Sequence, residues 1–317
     1  MTTADAQWRG VFTIPVTPFH EDGSIDWDSL RRCVEFCIEA GAHGIVMPVN
    51  ASEFFTLTDD ERDEVVRVGV EVTNGAVPFV AGTTGVSPQH AIARSLAAQD
   101  EGADSVMVLP PPRVAGAAQI EEHYRAVGEA LSIPLFIQNH TPPAGTVIPN
   151  DVMIRLLKEV PSIQYLKEES MPPGHVITAV LEGAGDACKG VMGVMGGIGG
   201  RYVMDEYRRG SCGTMPGCQI TDAAVALWDA LERGGKDDQG NQIVTDEARD
   251  VYQQILPAIT FESLYGAGAY KAILYKRGVI AGTTMRIPAR RVMDRLDFEE
   301  MDIILDRLSP LLSLKKG

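Results

Sequence analysis

Eight short apolar runs, separated by longer amphipathic segments, constrain the fold of this chain more than any other feature of its sequence. Each run is almost continuously apolar, as in parallel strands that helices cover on both faces. Eight such strands alternating with helices close most simply into a (β/α)8 barrel, a TIM barrel; an open, doubly wound sheet is the alternative, because periodicity does not prove closure. The runs begin at Val11, Gly44, Pro78, Ser105, Pro134, Ile163, Cys188 and Cys212.

The segments between the runs carry helix boundary signals. Thr58 and Glu61 have the spacing of a capping box, in which each side chain accepts a hydrogen bond from the other residue's amide. Ser87 followed by Pro88 predicts an N-cap and a first helical residue. Glycines that follow helix ends are expected to adopt the left-handed conformation, and these are Gly41, Gly102 and Gly210.

The pattern changes from Gly234 onward. A polar segment, GGKDDQGNQ, is followed by helical patterns with no further strand-like run. We therefore predict a barrel over residues 1–233 and, packed on it, a C-terminal helical region over residues 234–317.

Composition narrows the class of partner. The chain has 317 residues and a formal net charge of −15, which argues against nucleic acid and anionic membranes as partners because both repel an acidic surface. No apolar run approaches the ~20 residues of a transmembrane helix. The first ten residues lack the basic start and apolar core of a signal peptide. A cytoplasmic enzyme that acts on a small molecule is the expectation.

Cysteine and histidine patterns do not predict a metal centre. The five cysteines are an odd number in a long chain, which is not typical of a disulfide framework. Cys33 and Cys37 are four residues apart on a predicted helix with no histidine companion, so buried apolar thiols are favoured over a metal site. The six histidines form no HExxH or HxH motif, and no catalytic metal is expected.

The segment S-I-Q-Y-L-K-E-E-S, residues 162–170, places an ammonium group where an apolar residue is expected. Ile163, Tyr165 and Lys167 share one side of a strand. A lysine at a strand end can simply extend to solvent. Alternatively, burial inside a barrel lowers the pKa of the amine and makes it a Schiff-base nucleophile.

Three other strand ends carry candidate binding residues. Asn50, Ala51 and Ser52 follow the second run, and their amides and the Ser52 hydroxyl could hold a substrate carboxylate, although a turn also needs small residues. Glu53, next in the chain, is interpreted as a structural partner. His140 ends the fifth run. The glycine-rich end of the seventh run favours close backbone approach to a small ligand over a phosphate site, and its candidates are Gly196 and Gly197.

Together these motifs resemble the dihydrodipicolinate synthase / N-acetylneuraminate lyase family from about residue 9 to residue 315. The resemblance rests on GVFTIPVTPFHEDGSID near the N-terminus, the small-residue turn ending in Glu53, YLKEES and the helical tail. It implies a barrel enzyme, usually a homotetramer, that acts on a 2-keto acid through an imine and needs no other cofactor. The imine-forming lysine of the family falls on Lys167.

Departures from the family motifs indicate which reaction is excluded. The usual GTTGE or GSTGE turn is here V-N-A-S-E, and the strand-five tyrosine is Gln138. The tyrosine after strand four falls at about Pro112, and the arginine after strand five near Pro143. The proton relay and the arginine of the synthases are therefore missing, so dihydrodipicolinate synthase activity is not expected.

One branch of the family, the L-2-keto-3-deoxyarabonate dehydratases, resembles the chain more closely. The shared features are the N-x-S-E turn, the LTDDERD that follows it, glutamine in place of tyrosine, and K-x-E in strand six. The branch implies conversion of L-2-keto-3-deoxyarabonate to 2,5-dioxopentanoate and water. Gln138 would then position the C4 hydroxyl, because an amide cannot act as a base.

Two points stay open at the level of sequence. Glu169 shares a strand face with Lys167, so it is either the base at C3 or the partner in a structural salt bridge. The same lysine could also serve a pyruvate-releasing retro-aldolase or hydratase-aldolase, or a keto-acid-binding protein without turnover.

Overall fold

Eight parallel strands form a closed barrel in chain order, with the first strand paired to the last. The structure, a computed structural model, describes residues 7–112, 116–185, 192–287 and 292–313. Closure excludes the open sheet and confirms the predicted barrel. Cys188, the predicted start of the seventh run, lies outside the described residues. The strands are β1 Gly10–Thr13, β2 Gly44–Met47, β3 Phe79–Gly82, β4 Ser105–Val108, β5 Leu135–His140, β6 Ile163–Glu169, β7 Gly193–Gly196 and β8 Gly213–Thr214.

Helices follow the strands as the sequence predicted. Thr58 and Glu61 form the capping box, Ser87 caps the third helix, and the three predicted glycines have positive φ. None of the helices among the described residues has both the length and the apolar character needed to cross a bilayer. The helices are α1 Trp27–Glu39, α2 Asp59–Thr73, α3 Pro88–Asp100, α4 Ala117–Glu129, α5 Asn150–Glu159, α6 Pro173–Ala184, α7 Val203–Arg208, α8 Thr221–Glu232, α9 Asp246–Tyr265, α10 Ala267–Lys276 and α11 Arg295–Leu308.

Aromatic rings fill the N-terminal half of the barrel interior. Trp8, just before β1, stacks on Tyr165 of β6 with ring centroids 5.3 Å apart, and Tyr165 stacks on Phe136 of β5 at 4.6 Å. The Tyr165 hydroxyl accepts a hydrogen bond from the Trp8 amide at 2.8 Å. This packing closes the end of the barrel at which the strands begin, so polar chemistry inside the barrel is confined to the C-terminal ends of the strands.

The β5–β6 register brings the inward side chains of these strands together. Gln138 pairs with Lys167, and His140 pairs with Glu169. Because side chains alternate along a strand, these residues lie on the same face as Phe136 and Tyr165, inside the barrel. Leu166, one position earlier than Lys167, belongs to the outer core between strands and helices.

A buried ion pair joins the C-terminal helices to the turn after β2. Lys271 of α10 donates hydrogen bonds to a Glu53 carboxylate oxygen at 2.5 Å and to the Thr284 carbonyl at 2.9 Å. Its ammonium also lies 4.4 Å from the centre of the Phe19 ring. The predicted structural role of Glu53 is therefore confirmed, and the C-terminal helical region is packed on the barrel. The boundary at residue 233 stays a prediction.

Removal of this ion pair is expected to destabilise the protein strongly. Lys271→Met leaves the Glu53 carboxylate buried without its cation, which costs about 3–5 kcal/mol in unfolding free energy. Urea denaturation of the variant measures this loss. The matched control is Arg233→Met, which breaks an exposed pair with Glu247 and is expected to leave the unfolding free energy almost unchanged, because water screens exposed ion pairs. Equal losses in the two variants would contradict the assignment.

Candidate active site

Lys167 lies inside the barrel at the end of β6, and only 2% of its surface is exposed. Its ammonium nitrogen is 3.1 Å from a carboxylate oxygen of Glu169. Two residues of one strand meet in this way because they are two positions apart and point to the same face. The proton on the lysine therefore has an acceptor within hydrogen-bonding distance.

Two further groups hold the Glu169 carboxylate in place. The Gln138 side-chain amide donates to the oxygen that faces Lys167, at 2.7 Å, and the Ile198 backbone amide donates to the other oxygen at 3.2 Å. Burial alone would raise the pKa of Glu169, but the positive charges of Lys167 and His140 and these two hydrogen bonds outweigh it and lower the pKa. The carboxylate is thus ionised at neutral pH.

Gly197 is required by the position of Glu169. A Cβ atom at Gly197 would overlap the Glu169 side chain, so the loop after β7 passes directly over the carboxylate. A Cβ atom at Gly196, the other predicted candidate, would instead point outward and overlap Glu206 of α7. Backbone approach of Gly196 to a ligand stays a prediction.

His140 is half-buried at the mouth of the barrel beside Glu169. Its Nδ1 atom lies 2.7 Å from the Thr141 carbonyl oxygen. Contact between His140 and substrate stays a prediction.

The turn after β2 is a short 3-10 helix, Asn50–Ser52, whose hydrogen bonds change part of the prediction. The Ser52 hydroxyl donates to the Pro15 carbonyl at 2.6 Å, and the Ser52 amide donates to the Val49 carbonyl at 2.9 Å. Both Ser52 donors are therefore occupied within the protein, and the expectation that they hold a carboxylate is corrected.

Asn50, the first residue of this turn, offers a side-chain donor for a ligand. The Asn50 side-chain nitrogen is buried and has no hydrogen-bond partner among the described residues. The Asn50 and Ala51 amides lie in the first turn of the 3-10 helix, where amides have no partner within a helix. Asn50 and Ala51 thus remain candidates for binding a carboxylate, and Ser52 fixes the turn that carries them.

Sequence reasoning missed a pair of carboxyl groups behind the site. Glu168 points outward from β6 and accepts hydrogen bonds from the Asn139 side chain at 2.8 Å and the Ser170 amide at 2.6 Å. Glu206 is fully buried nearby, with no partner for either oxygen among the described residues. Burial and the neighbouring carboxylates raise the pKa of Glu206 well above the usual range. Alternation along β6 would have placed Glu168 here, but nothing in the sequence indicated Glu206.

The loops that flank the site carry the departures noted in the sequence. Pro112 follows β4 and Pro143 follows β5, so the strand ends offer no tyrosine or arginine at these positions. Arg113, next to Pro112, lies outside the described residues.

Comparisons with known proteins agree with this architecture. The family model of the dihydrodipicolinate synthetase family matches residues 7–195. The chain is 32% identical to L-2-keto-3-deoxyarabonate dehydratase of Azospirillum brasilense over 309 residues, 96% of each chain. It is 29% identical to 4-hydroxy-tetrahydrodipicolinate synthase of Cellvibrio japonicus over 268 residues, 80% of this chain and 82% of that protein.

A solved structure gives the same result at the level of the fold. Dihydrodipicolinate synthase from Rhodopseudomonas palustris superimposes with a TM-score of 0.84 and 26% identity, covering 95% of this chain and 97% of that one. Together with the family match and the position of Lys167 inside the barrel, this shows that the chain belongs to the dihydrodipicolinate synthetase family, whose members are lyases.

Proposed function

We propose that the protein is an imine-forming dehydratase of a 2-keto-3-deoxy sugar acid. The observation that carries the proposal is the arrangement of Lys167, Glu169 and Gln138, in which one carboxylate contacts both the lysine ammonium and the glutamine amide. Similarity to the Azospirillum brasilense dehydratase over nearly the whole chain supports the same class of substrate. L-2-keto-3-deoxyarabonate is the specific substrate that we propose.

The first step is formation of the imine. Transfer of a proton from Lys167 to Glu169, across 3.1 Å, leaves a neutral amine that attacks the C2 carbonyl of the keto acid. Loss of the C2 oxygen as water then gives the imine, whose positive charge acidifies the hydrogens on C3. The Asn50 and Ala51 donors hold the substrate carboxylate during these steps.

The second step is elimination across C3 and C4. Glu169, again ionised, removes a proton from C3, and the electron pair forms the C3–C4 double bond as the C4 hydroxyl leaves. Gln138 holds that hydroxyl by a hydrogen bond, and Glu169 returns its proton to it, so that water departs. Loss of a proton from C5 and addition of a proton at C3 then give an enol with a C4–C5 double bond. Transfer of the enol hydroxyl proton to C4 gives the C5 aldehyde, and hydrolysis of the imine releases 2,5-dioxopentanoate and free Lys167.

Borohydride trapping tests the assignment of the nucleophile. Incubation with pyruvate and borohydride is expected to add one reduced pyruvyl group per chain, which peptide mass spectrometry locates on Lys167. Lys167→Ala should give no adduct, whereas Lys158→Ala, which changes an exposed lysine of α5, should be trapped fully. An adduct on another lysine would contradict the proposal.

Substitution of Glu169 separates a catalytic base from a structural salt bridge. Glu169→Gln is expected to reach full imine trapping only on long incubation, because Lys167 loses its proton acceptor, and to lower the rate of water loss by about 10²–10⁴-fold, which is the usual contribution of a positioned acid–base group. Glu168→Gln is the matched control, since Glu168 is the adjacent, equally buried glutamate and faces away from the barrel interior. Melting temperatures confirm that both variants are folded. Unchanged turnover in Glu169→Gln would show that Glu169 is a structural partner of Lys167 and not the catalytic base.

Product analysis decides between dehydration and carbon–carbon cleavage. Nuclear magnetic resonance is expected to show 2,5-dioxopentanoate formed from L-2-keto-3-deoxyarabonate, with a Lys167→Ala control. A lactate dehydrogenase assay on the same mixture is expected to show no pyruvate. Pyruvate release would identify a retro-aldolase instead, and trapping without any product would identify a keto-acid-binding protein.

The pKa of Glu169 predicts the pH dependence of the reaction. Because the pKa is held below its ordinary value of 4.5, the carboxylate stays ionised as the pH falls until the pH reaches that lowered value. The acid limb of the kcat/KM profile should therefore lie below pH 4.5. Gln138→Met removes a hydrogen bond to the ionised form, so the pKa should rise and the limb should move to higher pH. Activity measured after return to neutral pH controls for unfolding at low pH. An acid limb that does not move in Gln138→Met would contradict this account.

A further inference from the structure

Three cysteines that are distant in the sequence converge at one point of the fold. Cys33 and Cys37 lie one turn apart on α1, and Cys218 begins the 3-10 helix that follows β8. All three side chains are fully buried. The sequence analysis considered Cys33 and Cys37 alone, and the fold supplies the third thiol.

The spacing of the sulfur atoms suits a single metal ion. The Sγ atoms of Cys33 and Cys218 are 3.5 Å apart, and all three Sγ atoms lie within 4.8 Å of one another. A thiolate–metal bond is about 2.3 Å long, so three sulfurs in a plane around one ion are about 4 Å apart. Small side-chain adjustments therefore suffice to place all three sulfurs around one ion.

The three sulfur atoms lie within the hydrophobic core, in one cluster of buried residues. The rest of the pocket is apolar and includes Leu30 and Leu274, so water is excluded.

We propose that Cys33, Cys37 and Cys218 form a three-coordinate site for a soft, monovalent metal ion, for which copper(I) is the probe. Structural zinc sites require four protein ligands, and among the described residues this group contains three cysteines with no histidine or carboxylate. A purely thiolate donor set selects soft ions such as copper(I). Each sulfur–metal bond forms as the thiol gives up its proton, without any change of oxidation state.

The site lies directly behind the segment that supports the turn after β2. The Pro15 carbonyl accepts the Ser52 hydroxyl, and the Thr17 hydroxyl donates to the Ser52 carbonyl at 2.7 Å. Val16, between these two residues, belongs to the same buried cluster as the three cysteines. A bound ion would join α1 to the loop after β8 beside this segment, and the melting temperature should rise on loading.

Copper binding to the reduced, full-length chain tests the site without reference to turnover. Copper(I) is added anaerobically in competition with bicinchoninate, and the expected results are one copper per chain and three sulfurs at about 2.3 Å by X-ray absorption. Cys33→Ser and Cys218→Ser should each weaken binding by at least about tenfold, the smallest loss typical of even an outer-shell metal partner.

Cys212→Ser and Cys188→Ser serve as matched controls, and both should bind copper as the unaltered chain does. Cys212 is buried elsewhere, with its sulfur 3.4 Å from the Val194 carbonyl, and Cys188 lies outside the described residues. The copper count and the X-ray absorption need no variant, so misfolding of a substituted chain cannot obscure the result. No retained copper, fewer than three sulfur ligands, or unchanged binding in Cys33→Ser and Cys218→Ser would each overturn the proposal.

Discussion

The alternation of side chains on β6, inside a closed barrel, is the constraint on which the site depends. Lys167 and Glu169 must both point inward, and Glu168 between them must point outward. Two opposite charges thereby lie in a space from which aromatic packing below and the loop after β7 above exclude water. Taking such a pair out of water is costly, and the Gln138 and Ile198 donors offset part of that cost.

Two buried lysine–glutamate pairs occupy the same end of the barrel and have different environments. Lys271 contacts Glu53, the Thr284 carbonyl and the Phe19 ring, so its ammonium is fully engaged. Among the described residues, Glu169 is the one ion-pair partner of Lys167. A lysine with several fixed partners stabilises a tertiary contact, whereas a lysine with one partner that can accept its proton can become a nucleophile.

Local and periodic features of the structure were predictable from the sequence. The apolar runs predicted the barrel, and the two-residue spacing of Lys167 and Glu169 predicted their shared face. The sequence could not show that the Ser52 hydroxyl is occupied, because it donates its hydrogen bond to the carbonyl of Pro15, 37 residues earlier in the chain. The Lys271–Glu53 pair spans 218 residues, and the lysine within the apolar segment AGAYKAILY was its one visible signal.

Glutamine at position 138 determines how protons can move in this site. A tyrosine there could exchange a proton with the substrate, but an amide can only donate or accept hydrogen bonds. The charge of Lys167 contributes most to the lowered pKa of Glu169, and the hydrogen bond from the Gln138 amide adds to it. In the proposed mechanism, the proton transfers at C3 and at the C4 hydroxyl use Glu169. A single carboxylate that takes a proton from C3 and returns it to the neighbouring hydroxyl suits elimination of water from one face of the substrate, whereas retro-aldol cleavage requires a base on the C4 hydroxyl itself.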